Sequence, residues 1–471
     1  MLVNVTFCGL KKYMNSKSVE TGKKIFRFVS SVVLVAVLAA LFAVMWYLRL
    51  QMLMPTRFLG LGNYLMIGLY TVLTILMINT FKGFNIGSGR ISILTMSQAI
   101  AMGLVNILEF IIVILMTRIK VLMWITLAYI VVLTVAQAFA VLAITFISTK
   151  LYRAVFPPFS ILNIYGEYEN NLVVKMNRRG DKYNITGEMS CKEPLDKITK
   201  ELENYDAVLI NDVPAETRND IIKACFATDK RVYFTPKISD ILIKGSEEVN
   251  LFDTPLYLCK NVGMDGISSA IKRMGDILIS GIGIILSSPI MLVTAILIHR
   301  YDGGPVFYKQ TRCTIGGKEY QIMKFRSMIT DAEKDGKARL ASENDDRITP
   351  IGHFIRATRI DELPQFFNIL KGEMSVVGPR PERPEIIAEY VKDVPEFAFR
   401  THVKAGLTGY AQVYGKYNTT SYDKLKLDMI YCEKCSVLLD IQLILMTLRV
   451  IFTKDATEGV EEGAVNANVR K

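Results

Sequence analysis

Residues 277–298 read ILISGIGIILSSPIMLVTAILI, a run of 22 positions without a charge. About 20 apolar residues at 1.5 Å each match a hydrocarbon core of about 30 Å, so a run of this length can cross a bilayer. Two features argue that it turns back instead. Both flanks are basic, with Lys272 and Arg273 before the run and His299 and Arg300 after it. A straight crossing would carry His299, Arg300, Lys309 and Arg312 to the face that positive charge avoids. Pro289 stands at the centre, behind Ser287 and Ser288. A mid-helix proline removes one backbone hydrogen bond and clashes with the turn before it, while nearby hydroxyls can satisfy the freed carbonyls. The sequence predicts a helix broken at Ser288-Pro289, entering one leaflet and leaving by the same face.

Which face that is depends on the segments upstream. Four apolar stretches, roughly 27–49, 60–81, 95–117 and 121–149, are each long enough to span. Lys11, Lys12, Lys17, Lys23, Lys24 and Arg27 precede the first, against a single Glu20. Lys82 and Arg90 follow the second, and Lys150 and Arg153 follow the fourth. The remaining loops hold only Arg49 and Arg57, then Arg118 and Lys120. Positive-inside bias therefore puts both ends of the bundle in the cytoplasm. Internal charge is almost lacking, Glu109 being the exception, which favours an anchor over a transport path.

Composition agrees. With 51% hydrophobic residues and a mean hydropathy of +0.29, the 471-residue chain is too apolar for an ordinary soluble enzyme. A net charge of +11 suits anionic lipid and anionic substrates. Nucleic acid would account for the charge but not for the hydrophobicity, so no nucleic-acid partner is expected. The seven cysteines are odd in number and scattered, as in a reducing compartment. Cys432 and Cys435 form one CxxC without a second pair or a nearby histidine. The three histidines nearly exclude a histidine-based metal cluster.

Beyond residue 150 the rhythm changes. ILNIYG (161–166), AVLIND (207–212) and RVYFTP (231–236) read as short buried strands, alternating with helical stretches at 195–205 and 217–227. A dinucleotide site would need G-x-G-x-x-G directly after the first strand. YGEYENN stands there with one glycine, so a regulatory or oligomerisation role is the better expectation. NVGMDGISSA (261–270) reads as a linker.

Past residue 300 the chain is polar and basic. In IDELPQFFNILKG, Leu363, Phe366, Phe367 and Leu370 form one apolar helix face that should end at Gly372. Pro364 fits the first turn, which puts Asp361 and Glu362 at or near the N-cap. Two roles are open to these acids. Asp361 can simply cap the helix while Glu362 complements its dipole. Alternatively, beside Lys324, Arg326, Arg356 and Arg359, they suit a metal–diphosphate, one carboxylate attacking phosphorus and the other helping to hold Mg²⁺ or handling a proton. In VVGPRPE (376–382), Pro379 and Pro381 stiffen the backbone around Arg380, so its guanidinium meets an anionic ligand with little freedom left to lose.

KFRSM (324–328), DRIT, the arginine five residues before DELPQ, LKGEMSVVGPRPE and KAGLTGYAQV occur in one order. Over about 270–455 the chain resembles the bacterial sugar transferases, the polyprenyl-phosphate hexose-1-phosphate transferases. With its N-terminal additions it resembles the long form of capsule and exopolysaccharide initiators, which often carry a nucleotide-binding-like domain of doubtful function. The resemblance implies a bacterial inner-membrane, multi-pass protein with a cytoplasmic catalytic domain. Its substrates would be a UDP-sugar and undecaprenyl phosphate, with UMP released and Mg²⁺ as cofactor. Asp361 would carry the sugar phosphate covalently, and Glu362 would assist with metal or proton. Lys324, Arg326, Arg356 and Arg380 would neutralise phosphate, and Ser288-Pro289 matches the family's re-entrant break. Two places depart from the family: Cys313-Thr314 after Arg312, and CEKC where an N-W pair is usual. The cysteines are expected on a membrane-facing helix, and 436–452 is expected as an amphipathic helix in the interface.

The expected architecture is a membrane α-helical bundle (1–150), a small α/β Rossmann-like domain (151–262) and a mostly α-helical monotopic catalytic domain (270–471) with the re-entrant helix 277–298. A homo-oligomer fits this plan. The rival reading is a non-catalytic assembly or regulatory protein of polysaccharide export that binds lipid phosphate without turnover.

Overall fold

Uninterrupted stretches of leucine, isoleucine, valine and alanine, free of interior proline, fold as the four long helices that their length demands: α1 (Ser16–Leu48), α2 (Leu61–Thr80), α3 (Ile91–Met116) and α4 (Leu122–Val155). A computed structural model of the chain describes residues 16–55, 60–87, 89–117, 122–166, 170–259, 263–330, 345, 347–415 and 419–451. Lys11, Lys12, Arg57, Arg118 and Lys120, used above for orientation, lie outside the described residues. The chain forms two units, Met1–Thr235 and Pro236–Lys471.

The four long helices α1–α4 of the first unit are each long and apolar enough to cross a membrane. Their interior holds aromatic and neutral polar groups. Phe42 stacks on Tyr70 with centroids 3.9 Å apart, and the Trp46 indole donates to Asn63. Tyr70 donates to Asn106, Asn106 to Gln137, and Gln137 back to the Tyr70 hydroxyl at 2.7 Å. A closed ring of this kind satisfies groups that lipid cannot. Glu109, one turn from Asn106, is fully buried, and its carboxylate has no partner among the described residues.

The α/β segment follows with β1 (Phe159–Tyr165), α5 (Leu172–Asn177), β2 (Tyr183–Ser190), α6 (Leu195–Leu202), β3 (Ala207–Asn211), α7 (Ala215–Ala227) and β4 (Arg231–Phe234). The strands pair in parallel in the order β2-β1-β3-β4. The three expected strands are there. β2 escapes sequence reading because it is an edge strand, half-exposed along its length, with Gly187 inside it and no apolar run. At the carboxyl end of the sheet, where such folds bind nucleotides, the gap between β1 and β3 is closed, while a cavity of about 260 Å³ lined by Glu193, Ile198, Glu216 and Asp220 stands at the starts of α6 and α7. Gly166 presses on the Asp212 backbone so closely that a side chain would not fit. Asn170 and Asn211 close the gap with a reciprocal amide pair at 2.7 and 3.0 Å.

The second unit begins with α8 (Ile238–Lys244) and the hairpin β5 (Glu247–Leu251)–β6 (Thr254–Leu258). The long helix α9 runs over Gly266–Asp302. It starts inside the expected linker because Asp265 caps it, accepting from the Ser268 amide at 3.0 Å. It also stays helical through Pro289, where a break was expected. The reason is local: the carbonyl that Pro289 frees belongs to Ile285, and the Ser288 hydroxyl donates to it at 2.8 Å, while Ser287 bonds Gly283. Asp276, Ser280, Ser287, Thr294 and Ile298 form one buried face, and Leu278, Ile285, Leu286, Leu292 and Val293 on the other faces are exposed.

After α9 come the antiparallel pair β7 (Phe307–Cys313) and β8 (Glu319–Phe325), then α10 (Pro350–Ala357), α11 (Gln365–Lys371), β9 (Ser375–Val377), α12 (Pro384–Asp393), β10 (Gly406–Thr408), α13 (Tyr410–Tyr414), α14 (Ser421–Lys434) and α15 (Val437–Ile451). Cys432 faces inward rather than to a membrane. It lies on the buried stripe of α14 with Leu425 and Met429, as suits a small apolar thiol. On α15 Leu443 and Met446 are buried, while Leu438 and Ile441 are exposed.

Candidate active site

The inward side of β8 carries Tyr320, Ile322 and Lys324, alternate residues of one pleat. The first two enter the core, and Lys324, at the strand's end, reaches a carboxylate. That carboxylate belongs to the 3₁₀ turn Ile360–Glu362, which precedes α11 as a separate element. Asp361 and Glu362 therefore do not cap the helix. α11 begins at Gln365 behind Pro364, its N-cap, which makes no side-chain cap hydrogen bond. Arg359 opens the turn in the left-handed region, φ 60°, an uncommon conformation for a residue with a Cβ. α11 ends at Gly372, φ 87°, as its sequence predicts. Its expected apolar face is only half-buried, because the inner face is given to Gln365, Asn368 and Ile369. Asn368 ties α11 to β8, accepting from Met323 N at 3.0 Å and donating to Gln321 O at 2.8 Å.

Both acids are buried, each 9% exposed, yet their surroundings differ. Lys324 Nζ and Arg380 Nη2 both donate to Glu362 Oε1, at 2.9 and 2.8 Å. Burial by itself would push the Glu362 carboxyl up, but Arg380 and Lys324 together hold it well below the usual carboxylate range. Asp361 makes no hydrogen bond or ion pair among the described residues. Burial raises its pKa above the ordinary value, against the pull of Lys324. One carboxylate is a fixed anion. The other is a buried group with nothing assigned to it.

The expected phosphate-binding cations divide in two. Lys324 and Arg380 meet on Glu362. Arg356, in the last turn of α10, lies close enough to favour ionised Asp361. Its Nη1 is buried without a hydrogen-bond partner among the described residues. Arg326 is instead paired with Asp302 at the end of α9 and buried there. Among the described residues no group of three or more His, Cys, Asp and Glu side chains is placed to hold a metal. A Mg²⁺ ion needs only one or two carboxylates when a diphosphate supplies further oxygens. Asp361, without a partner among the described residues, and the second oxygen of Glu362 are the groups that would supply them.

Several supports carry no expectation from sequence. From α9, Arg273 donates to the last carbonyls of α11, Ile369 and Leu370, both at 2.7 Å. Asp276 accepts from Ser375 Oγ and Val376 N on β9. Gly283 faces the Phe366 ring, where a Cβ would come within 2.9 Å of it. At the other end of α9, Met291, Ala295 and Ile298 pack with Phe325, Ile355 and Ile360. Behind the Pro379–Pro381 segment, Glu382 pairs with Lys424 and stands 3.6 Å from both Arg312 and Arg400. These cations overcome its burial and bring its pKa down to about 2. Arg312 and Glu382 belong to motifs visible in the sequence; Arg400 and its partner Asp428 sit in no motif.

The family described as bacterial sugar transferase matches residues 267–454. A UDP-N-acetylgalactosamine-undecaprenyl-phosphate N-acetylgalactosaminephosphotransferase of Aeromonas hydrophila is 37% identical over 278 residues, 55% of this chain and 62% of that protein. A UDP-glucose:undecaprenyl-phosphate glucose-1-phosphate transferase of Klebsiella pneumoniae is 35% identical over 262 residues, 55% of this chain and 54% of that protein. A protein of the same name from Caulobacter vibrioides is 36% identical over 189 residues, 39% of this chain and 70% of that protein. The chain thus matches little more than half the length of the first two.

Proposed function

Since the chain belongs to the bacterial sugar transferase family, we propose that its second unit moves a sugar-1-phosphate from a UDP-sugar to undecaprenyl phosphate and releases UMP. The observation that carries this is the unequal pair: Glu362 locked by two cations, and Asp361 buried beside it without a hydrogen-bond or ion-pair partner among the described residues. A carboxylate stripped of water and of hydrogen bonds keeps its nucleophilicity for an incoming phosphorus. The Asp361 carboxylate attacks the phosphorus that bears the sugar. The bond to the bridging oxygen breaks and UMP leaves. The phospho-sugar stays on Asp361 until an oxygen of undecaprenyl phosphate attacks the same phosphorus and frees the carboxylate. Lys324, Arg380 and Arg356 offset the charge that builds on the phosphoryl oxygens. Asp361 and Glu362 would hold Mg²⁺ with the diphosphate, and the ion would neutralise further phosphate charge.

The membrane part of the proposal is that α9 is re-entrant and the site lies on the cytoplasmic face. What supports it is that both halves of the helix rest on one body. Arg273, Asp276 and Gly283 touch α11 and β9, and Met291, Ala295 and Ile298 touch β8 and α10. At 1.5 Å per residue the helix is about 55 Å long, and its contacts with this one body run from Arg273 to Ile298, while the apolar residues of its other faces are left exposed for lipid. Cysteines placed at Ser269 and Tyr301, in a background freed of native cysteine, should both react with an impermeant thiol reagent from the same side. Opposite sides would overturn the re-entrant assignment.

The chemical test is purified protein with Mg²⁺ and a panel of UDP-sugars, without lipid acceptor. A stoichiometric burst of UMP with a phospho-sugar adduct on the peptide containing Asp361 is expected. Acceptor-dependent release without any adduct would replace the two-step route by direct transfer.

A further inference from the structure

Three consecutive backbone carbonyls around Arg380 are held by other parts of the second unit. Gly406 N donates to Pro379 O at 2.9 Å, Arg400 Nη2 to Arg380 O at 2.9 Å, and Arg312 Nη1 to Pro381 O at 3.0 Å. Arg400 is 3% exposed and lies in the 3₁₀ segment Pro395–His402. It stands 2.7 Å from the Asp428 carboxylate on α14 and 3.6 Å from Glu382, and its guanidinium lies over the Phe397 ring. Asp428 is itself 1% exposed.

We propose that Arg400 is a positioning residue for the phosphate-binding Arg380. With φ and ψ the only soft backbone dihedrals, the direction of the Arg380 carbonyl sets where its side chain starts. Pro381 already keeps Arg380 extended. Arg400 then fixes the carbonyl, and the planar guanidinium reaches that oxygen, Asp428 and Glu382 together, which a lysine cannot do. Arg380, 38% exposed, spans the gap from this anchor to Glu362. A buried ionic cluster is weak as a source of stability, since well-packed apolar groups often serve as well. It is suited to holding one geometry.

This inference rests on the proposed function, and its test separates the two. Wild type, R400K, R380M and the double variant are prepared as full-length protein in lipid nanodiscs. UMP release is measured with UDP-N-acetylgalactosamine and UDP-glucose as donors. R400K keeps a cation beside Asp428, so its unfolding temperature should match wild type. Its kcat/KM should fall on the order of tenfold, mostly in kcat, yet change less than about twofold when Arg380 is already methionine. Equal losses in both backgrounds, or no loss in either, would overturn the role. If wild type turns over neither donor, the functional reading fails for those sugars, and UDP affinity by calorimetry carries the same cycle. Weakening by R400K only where Arg380 is present supports the positioning role, and equal weakening in both backgrounds overturns it.

Discussion

A phosphate-bearing ligand can be sought at two places in the chain, and they are built in opposite ways. The carboxyl end of the parallel sheet in the first unit has the position but not the chemistry. Gly166 is packed onto Asp212, Asn170 and Asn211 satisfy each other, and the gap between β1 and β3 is closed. The turn Ile360–Glu362 in the second unit is part of no nucleotide-binding sheet. There two acids are buried against cations, and Asp361 is left without a hydrogen-bond or ion-pair partner among the described residues. Topology alone would favour the sheet; unspent polar groups favour the turn. A fold marks where ligands can bind, and the site's own chemistry decides whether one does.

The sharpest way to break the contrast is Asp361→Asn. If Asp361 takes the sugar phosphate, UMP release should fall by about a thousandfold or more, since nothing nearby replaces a lost nucleophile. The variant should unfold no earlier than wild type, because burial opposes the charge more than the nearby Lys324, Arg359 and Arg356 favour it. Retention of a tenth of the activity would move the chemistry to another residue.

Glu362→Gln should act next most strongly, on both rate and stability. Lys324 and Arg380 would lose their shared anion, a change that costs about 3–5 kcal/mol for a buried pair. Activity should fall by roughly a hundredfold as the phosphate clamp loosens. A drop in rate with unaltered unfolding would mean that Glu362 acts on substrate rather than as an anchor for the cations.

Acid titration separates Asp361 from the paired Glu382 by sign. Asp361 is raised by burial, so activity should be lost on the acid side at a pH above the ordinary aspartate range as its nucleophile takes up a proton. The paired acids behave oppositely in stability. Glu382 is lowered to about 2, so its stabilising effect is full above about pH 4.5 and is lost as the pH falls toward 2. Its contribution is on the order of 3 kcal/mol at neutral pH. Unfolding followed from pH 5 to pH 2 should show that loss, and Glu382→Gln should flatten it.

How much of this could be read beforehand follows from the range of the forces involved. Apolar runs and β-branched strands announce themselves locally, so the four N-terminal helices, the presence of α9 though not its unbroken course through Pro289, and three strands of the sheet are legible. Lys324, Arg380 and the two acids stood out because charged residues clustered in an otherwise ordered motif invite a chemical reading. The end of α11 at Gly372 was local too. Other features depend on partners far away in sequence. Arg326 goes to Asp302, Cys432 turns into the core, and Arg400 meets Asp428 and Arg380. The 3₁₀ turn before α11 was missed because the left-handed Arg359, which starts it, has no residue signature.

The smallest expected effect tests the closed end of the sheet. Asn211→Ala leaves the Asn170 amide without its partner in a partly buried place. The first unit should lose about 1–2 kcal/mol, in line with an orphaned buried polar group. UMP release should stay within about twofold of wild type, because the crevice holds no group that the proposed reaction uses. A much larger fall in activity, with the expected modest change in unfolding, would mean that the sheet contributes to turnover. The contrast between the closed gap at β1 and β3 and the turn that holds Asp361 would then have to give way to a regulatory role for the sheet.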